Sequence, residues 1–440
     1  MAQEIYHRTD WGYASNEWGS VYVNAELSNE LYKRAANYEN SWGSDQTLNA
    51  INKKASIILL PTAYEEGTIH NVKPSSAPFG DMTFIQNGTT TRVNESGLVA
   101  SNEISIPRID YSKGEGAILS ELQSTNYVRY SEDFSNALWT KDAISITSST
   151  KTNPRGVSQT VYNITGAPAA GDGLFAGFTN SPSGQGTGVS IWIKRTSGAG
   201  STGDVWIGSG NQTSGFGNSV AVGNEWQRIT YIAPQYGGNS IYIKPQYGHY
   251  FDIWGAQGEF GFVSGRAGRV SSYIPTTSGS ATRTRDNYQN GGDASLIGAQ
   301  EGVLFFEGAA TANQAGLVRG VALSASNSAA NRVVLLLGYS SNEITVRIQA
   351  SSSTVVEVYG TVADQTAFNK IAIKYKSGDI ALWVNGTEIS TSTNTFTFSA
   401  TLSELAFDQG NGSQHMDGHV KQLVVFKEVL SDAELAALTS

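Results

Sequence analysis

Two acidic residues stand side by side at Glu132–Asp133, inside the stretch Tyr127–Lys141. Carboxylates about 5.5 Å apart can cleave a glycosidic bond, one as acid and one as nucleophile. Neighbours on a strand point to opposite faces, so these two cannot form that pair. A Glu-x-Asp spacing would place both on one face, and it occurs nowhere in the chain. The expectation is a solvated turn, no catalytic residue and no enzyme.

Metal chemistry is also sparse. The 5 histidines are His7, His70, His249, His415 and His419. Only His415 and His419 are close, four apart with Asp417 between them. That spacing suits a metal on a helix, but this segment leads into a strand. Asp408, Asn411 and Asp417 are candidate calcium ligands in the polar loop 408–418, although they follow no fixed ligand spacing. No other cofactor is expected. With 0 Cys, disulfides, thiolate metal sites and a cysteine nucleophile are excluded. Glycine-rich stretches such as 171–188 and 198–217 lack the Lys-Ser/Thr or helix of a phosphate-binding loop.

Sugar binding asks for exposed aromatic faces. Trp206, Phe216, Tyr236, Tyr247, His249 and Tyr250 fall in loop-rich segments and are the glycan-binding candidates, with packing into the core an equal alternative. Trp192, Trp226 and Trp383 fall on strands and are expected in the core.

The elements that must position these residues are β-strands. The chain has 440 residues, 15% charged and 10% aromatic, with 48 Gly. Such a composition favours pleated sheet over helix. A net charge of −9 argues against nucleic acid as a partner, and no apolar run is long enough for membrane insertion. The N-terminus shows no basic start followed by an apolar run, so no secretion signal is expected.

Residues 1–56 read as an aromatic arm followed by helices. Leu27, Leu31, Ala35 and Tyr38 make one apolar stripe over Ala25–Asn40, and a second short helix follows from Ser44 through Lys54. Residues 57–124 read as an irregular β connector, with a buried strand Ser56–Leu60 closed by Pro61. From 125 to 286, short alternating strands separated by Gly/Ser/Asn turns predict a first antiparallel sandwich. Residues 287–301 read as a linker, and 302–440 as a second sandwich. There Asn385–Gly386 marks a hairpin turn, Thr395–Phe398 is expected as a strand, and Ser431 with Glu434 forms a capping box. The fold class is therefore mainly β: a short N-terminal helical anchor followed by two antiparallel jelly-roll sandwiches.

The last domain resembles laminin-G and concanavalin A-like jelly rolls through Phe368–Glu388 (FNKIAIKYKSGDIALWVNGTE) and Asp417–Leu438 (DGHVKQLVVFKEVLSDAELAAL). The middle domain resembles concanavalin A-like or carbohydrate-binding-module-like sandwiches of tailed-bacteriophage virion proteins. The residues that carry this are Tyr130–Lys141, Trp192–Arg195, Asn224–Arg228 and Ser272–Asp286, in that order, preceded by Phe79–Val99 and Ile118–Asn126. The resemblance covers roughly residues 57–286 and the last domain. It implies a virion protein on the particle exterior, a tail or head fibre or a decoration protein. Residues 1–56 would hold it to other virion proteins, as a homo-oligomer with a trimer favoured, and its sandwiches would take a host-surface glycan. Two alternatives stay open: a secreted carbohydrate-binding module or glycosidase, and a purely architectural virion component without ligand.

Overall fold

Period-two alternation decides most of the architecture, because every strand has one face to bury. A computed structural model describes residues 4–6, 21–23, 46–74, 78–166, 172–178, 185–209, 216–233, 238–261 and 268–440. The chain forms two units. A split unit comprises Met1–Gly88, Glu103–Leu122 and Arg285–Ser440; an inserted unit comprises Thr89–Asn102 and Gln123–Thr284.

The split unit is a sandwich of antiparallel sheets. Its large sheet runs Asn287–Gln289, Met82–Ile85, Thr68–Lys73, Ile57–Glu65, Gly418–Phe426, Glu301–Ala310, Asn369–Lys376, Ile380–Val384 and Thr387–Ser392. The second sheet runs Ser353–Thr361, Glu343–Ala350, Arg332–Leu337, Arg319–Ser324 and Glu404–Ala406. Leu304, Phe306, Ile371, Ile373 and Leu423 from the first sheet meet Val333, Leu335, Ile344, Val346 and Ile348 from the second in one core. The other face of the large sheet carries Phe305, Val424, Phe426 and Trp383. Ile51 and Ala55, on and just after helix α1 (Gln46–Lys54), and Leu435 and Leu438 of helix α2 (Asp432–Thr439) cover it. The capping box at Ser431 and Glu434 is present, and Asn385 and Gly386 both take positive φ in their hairpin turn.

Several expectations change here. Residues 57–88 and 103–122 are no separate connector but part of the split unit: Ile57, Ile58 and Leu59 pair with Val425, Val424 and Leu423. Residues 287–301 are packed rather than a free linker, since Tyr288 is buried against Phe84 and Phe407, with ring centroids 4.5 and 5.0 Å away. The first strand runs on through Pro61 to Glu65. Its pairing is interrupted between Leu59 and Tyr64, where a residue without an N–H does no harm. The expected strand Thr395–Phe398 is not formed; Phe396 and Phe398 pack into the core instead. The expected second short helix is α1, whereas Ala25–Asn40 lies outside the described residues.

The inserted unit stacks two five-stranded antiparallel sheets. One runs Thr140–Asp142, Gly173–Gly177, Ser240–Pro245, Gly203–Ser209, Gly217–Val222, and the other Ile146–Thr152, Ser158–Thr165, Tyr250–Phe260, Thr187–Ser197, Gln227–Ile232. Leu174, Val205, Ile207, Ile241 and Ile243 of the first meet Ile164, Val189, Ile191, Ile193 and Ile253 of the second. Ser124–Asn126 pairs with Ala281–Arg283, so the segment's two ends leave side by side.

In the split unit a fully buried Arg108 lies next to the residues flanking that segment. Its guanidinium donates to Glu121 at 2.8 Å and to Asp286. The Glu121 amide donates to the Asp286 carboxylate at 2.8 Å, and the Asp286 amide to the Glu121 carbonyl at 2.9 Å. Burial works against the arginine's charge, but the two carboxylates outweigh it and hold its pKa above the ordinary value. Removing one partner of a buried ion pair leaves an uncompensated charge, at a cost of about 3–5 kcal/mol. Arg108→Met is expected to destabilise the split unit by about that amount in urea unfolding of the full chain; a loss below about 1 kcal/mol would show that Glu121 and Asp286 find other partners.

Candidate functional site

Glu132 and Asp133 belong to a polar clasp in the inserted unit. Residues 127–139 form turns rather than a strand, and only Thr140–Asp142 is paired. Val128, Phe134 and Trp139 point into the core. The polar residues join the closing segment: the Tyr130 amide donates to the Thr277 carbonyl at 2.6 Å, and the Thr276 amide to Ser131 Oγ at 2.8 Å. The Tyr273 hydroxyl donates to Glu132 at 3.0 Å and meets Ser131 Oγ at 2.8 Å. Arg155 also donates to Glu132, at 3.3 Å. Burial, then the neighbouring Glu132 charge, pushes the Tyr273 hydroxyl well above its usual pKa. Asp133 accepts from Ser135 and from the Tyr162 hydroxyl at 2.7 Å, and these bonds hold its carboxyl below the usual range. The two acids are thus engaged in structure, not left to solvent as expected.

The sheet containing Trp206 offers a different surface. Val205 and Ile207 fill the core, so Trp206 and Gly208 face outward. Gly208 is paired with Gly217 on one neighbouring strand and with Tyr242 on the other. A methyl group added at Gly208 would lie 2.4 Å from Trp206 Cη2, and one added at Gly217 would lie 2.1 Å from Cζ2. The indole therefore lies flat across two bare backbone positions, one face on the sheet and the other turned outward. Tyr242 meets it edge-on, with centroids 5.3 Å apart and planes at 65°. The Tyr242 hydroxyl donates to the Asp172 carbonyl; burial, then Asp172 and Asp142, pushes its pKa up to about 12. Phe175 stands opposite Tyr242, while Lys244 and Ser219 stand opposite Trp206. Tyr242 is itself buried and only props the indole; the half-buried Trp206 ring with Lys244 and the exposed Ser219 can take a pyranose by stacking and hydrogen bonding.

Of the other aromatic candidates, Phe216 directly precedes Gly217 and is exposed. Tyr247 is 70% exposed in a turn closed by the His249 amide on the Gln246 carbonyl, and Tyr250 is exposed at the start of its strand. His249 does not join them: it is buried against Gly198, Gly203 and Phe251, and Arg195 Nε donates to its Nδ1 at 3.3 Å. Tyr236 lies outside the described residues. Trp383 is buried, and Trp192 and Trp226 pack beside Trp254. Sequence reading missed Tyr242 and Lys244. Their alternation with Ile241 and Ile243 was the available signal for an outward face.

The calcium candidates have separate protein partners. Asp408 accepts from the Gly410 and Asn411 amides. Asp417 accepts from Thr311 Oγ1 at 2.6 Å and the Leu122 amide at 3.3 Å, with Arg319 Nε at 3.8 Å. Asn411 is exposed and accepts from Ser413. Among the described residues no group of three or more His, Asp or Glu could hold a metal ion. His419 Nε2 contacts Asp110 at 3.0 Å.

Both units are thus antiparallel β-sandwiches. Residues 308–436 match the family model Laminin_G_3, described as the Concanavalin A-like lectin/glucanases superfamily. Among solved structures, the chain is similar to the Ruminococcus gnavus IT-sialidase CBM40 bound to alpha2,3 sialyllactose, at 17% identity over 33% of this chain and 86% of that one, TM-score 0.29. It is similar to Domain 4 of AbnA, a GH43 extracellular arabinanase from Geobacillus stearothermophilus, in complex with arabinotriose, at 14% identity over 39% and 82%, TM-score 0.29. A third is the Bacillus licheniformis beta-glucanase, at 11% identity over 33% and 73%, TM-score 0.26. No curated protein matches the chain.

His415 gives the loop beside Asp408 a pH dependence. Burial, then the Arg285 charge, holds its pKa below 6.5, against weaker pulls from Asp408 and Gly412. The unfolded chain therefore binds this proton more readily, so stability is full above pH 6.5 and falls as pH drops below it. One such group gives a slope of at most about 1.4 kcal/mol per pH unit. His415→Gln is expected to flatten urea-derived stability between pH 6.5 and about 5, above the carboxylate range; an unchanged slope would assign that titration elsewhere.

Proposed function

We propose that this chain is a structural virion protein of a tailed phage, displayed on the particle exterior as a fibre or decoration protein, which adheres to host-surface glycans through the Trp206 face. The observation that carries the adhesive part is the indole laid flat on Gly208 and Gly217, outside the core and edged by Tyr242. A large aromatic left on a sheet surface serves a partner better than it serves packing. The virion part is supported by the order of segments 130–141, 192–195, 224–228 and 272–286. In this reading residues 1–56 attach the chain to other virion proteins and it assembles as a trimer. Weak sites then gain avidity by repetition. It acts by binding, not catalysis: Glu132 and Asp133 are already committed to Tyr273, Arg155 and Tyr162.

A glycan array with the full chain tests the adhesive reading. Trp206→Ala is expected to weaken any positive signal at least about tenfold, as loss of a stacking anchor does. Gly217→Val is expected to do so too by lifting the ring. Signals unchanged in both variants would remove Trp206 from the site, and no signal at all would leave the architectural alternative. Deleting residues 1–55 is expected to leave soluble sandwiches and to abolish incorporation into particles; normal incorporation would overturn the attachment role.

A further inference from the structure

The sheet that carries Trp206 also places a lysine without a counter-charge beside it. Lys244 stands directly opposite Trp206 on the neighbouring strand. Val205, Ile207, Ile241 and Ile243 fill the core, so Trp206 and Lys244 share the outward face. Lys244 is half-buried. A lysine so placed lays its stem along the sheet and keeps its amine at the surface.

Among the described residues no carboxylate or other acceptor pairs with the Lys244 amine. Asp204, exposed and two residues before Trp206 on its strand, is a diagonal neighbour, about 7–8 Å away along the backbone. Water weakens its pull at that range. Asp142 and Asp172 act on the Tyr242 hydroxyl, towards the sheet's other edge. A half-buried amine that has lost part of its water gains most from a charged acceptor, because charge-assisted hydrogen bonds are the strong ones.

The position of Lys244 says where that acceptor would come from. An equatorial carboxylate sits at the rim of a pyranose, close to the plane of the ring. A pyranose stacked on the indole therefore presents it sideways, over the neighbouring strand. Side chains directly opposite on two strands have Cβ atoms about 4.5–5.5 Å apart, which matches that reach. Among the described residues no cation stands over the indole, so a sugar ring can. Ser219, exposed and opposite Trp206 on the other side, serves a ring hydroxyl.

We propose that the Trp206 face selects a saccharide with a carboxylate on its pyranose ring, a hexuronate, whose charge is taken by Lys244. The indole holds the ring, and Lys244 decides between acidic and neutral sugar. This rests on the glycan-binding reading of the same face and names the class of sugar.

Calorimetric titration of the full chain with galacturonate and mannuronate oligomers, and with their methyl esters, tests it. At least one acid is expected to bind, about tenfold or more tighter than its ester. Lys244→Gln is expected to remove that difference by weakening the acid alone. Asp204→Asn is expected to tighten the acid about twofold and leave the ester unchanged, which a merely structural role would not do. Trp206→Ala is expected to weaken acid and ester together. Far-UV circular dichroism checks that each variant is folded. No binding of either acid, equal binding of acid and ester, or indifference to Lys244→Gln overturns the proposal. In that case Trp206-dependent binding of neutral sugars keeps the adhesive reading standing, whereas loss of Trp206 dependence for every sugar overturns that reading itself. Equal binding of a sulfated galactan overturns the carboxylate part.

Discussion

The buried charge of Arg108 is a constraint that the split unit must answer locally. A guanidinium with no exposure to water must be neutralised where it stands, and Glu121 and Asp286 do so. These residues lie just outside Gln123–Thr284, the segment that forms most of the inserted unit. One arginine therefore fixes both ends of a long excursion of the chain within the unit it leaves. An apolar residue in its place would leave two buried carboxylates without a counter-charge.

Given that frame, pleating assigns the rest. Each sandwich buries one face of each sheet, and what remains outside is free for other chemistry. In the inserted unit the outer face of one sheet carries the half-buried Trp206 over paired glycines, edged by the buried Tyr242. In the split unit the outer face of the smaller sheet buries Ala322, Val334 and Leu336, with Arg347 half-buried beside Tyr339. The helices α1 and α2 cover the outer face of the large sheet, around Phe305, Val424 and Trp383.

Local pattern was legible in the sequence where it was strong. Glu343–Ala350 and Ile380–Val384 alternate or run apolar between clear turns, and the Ser431 capping box is a local signal. Ile146–Thr152 was not legible, because a run of Ser and Thr at a sheet edge buries little and shows no alternation. The membership of residues 57–88 in the split unit was hidden for another reason: Ile57 meets Val425 only after folding, and nothing local marks the pair. The candidate site was half legible. Trp206 was singled out by type, but its platform needs Gly208 and Gly217 on separate strands, which only register brings together. The Trp206–Lys244 pair depends on register in the same way.

The segments that most specifically suggested a virion domain, 130–141 and 272–286, turn out to bind each other. Their polar residues Ser131, Glu132, Tyr273 and Thr276 exchange hydrogen bonds at the clasp, and Phe134 and Trp139 fill the core beneath. Similarity there reports how the sandwich is closed, because each of those residues already has a partner within the unit. A clasp of this kind is indifferent to what the sheets display. The choice of ligand must therefore be sought on surfaces the clasp does not touch, where a change of side chain alters recognition and leaves the closure intact. Trp206 is a candidate for such a surface: it packs on two glycines and Tyr242.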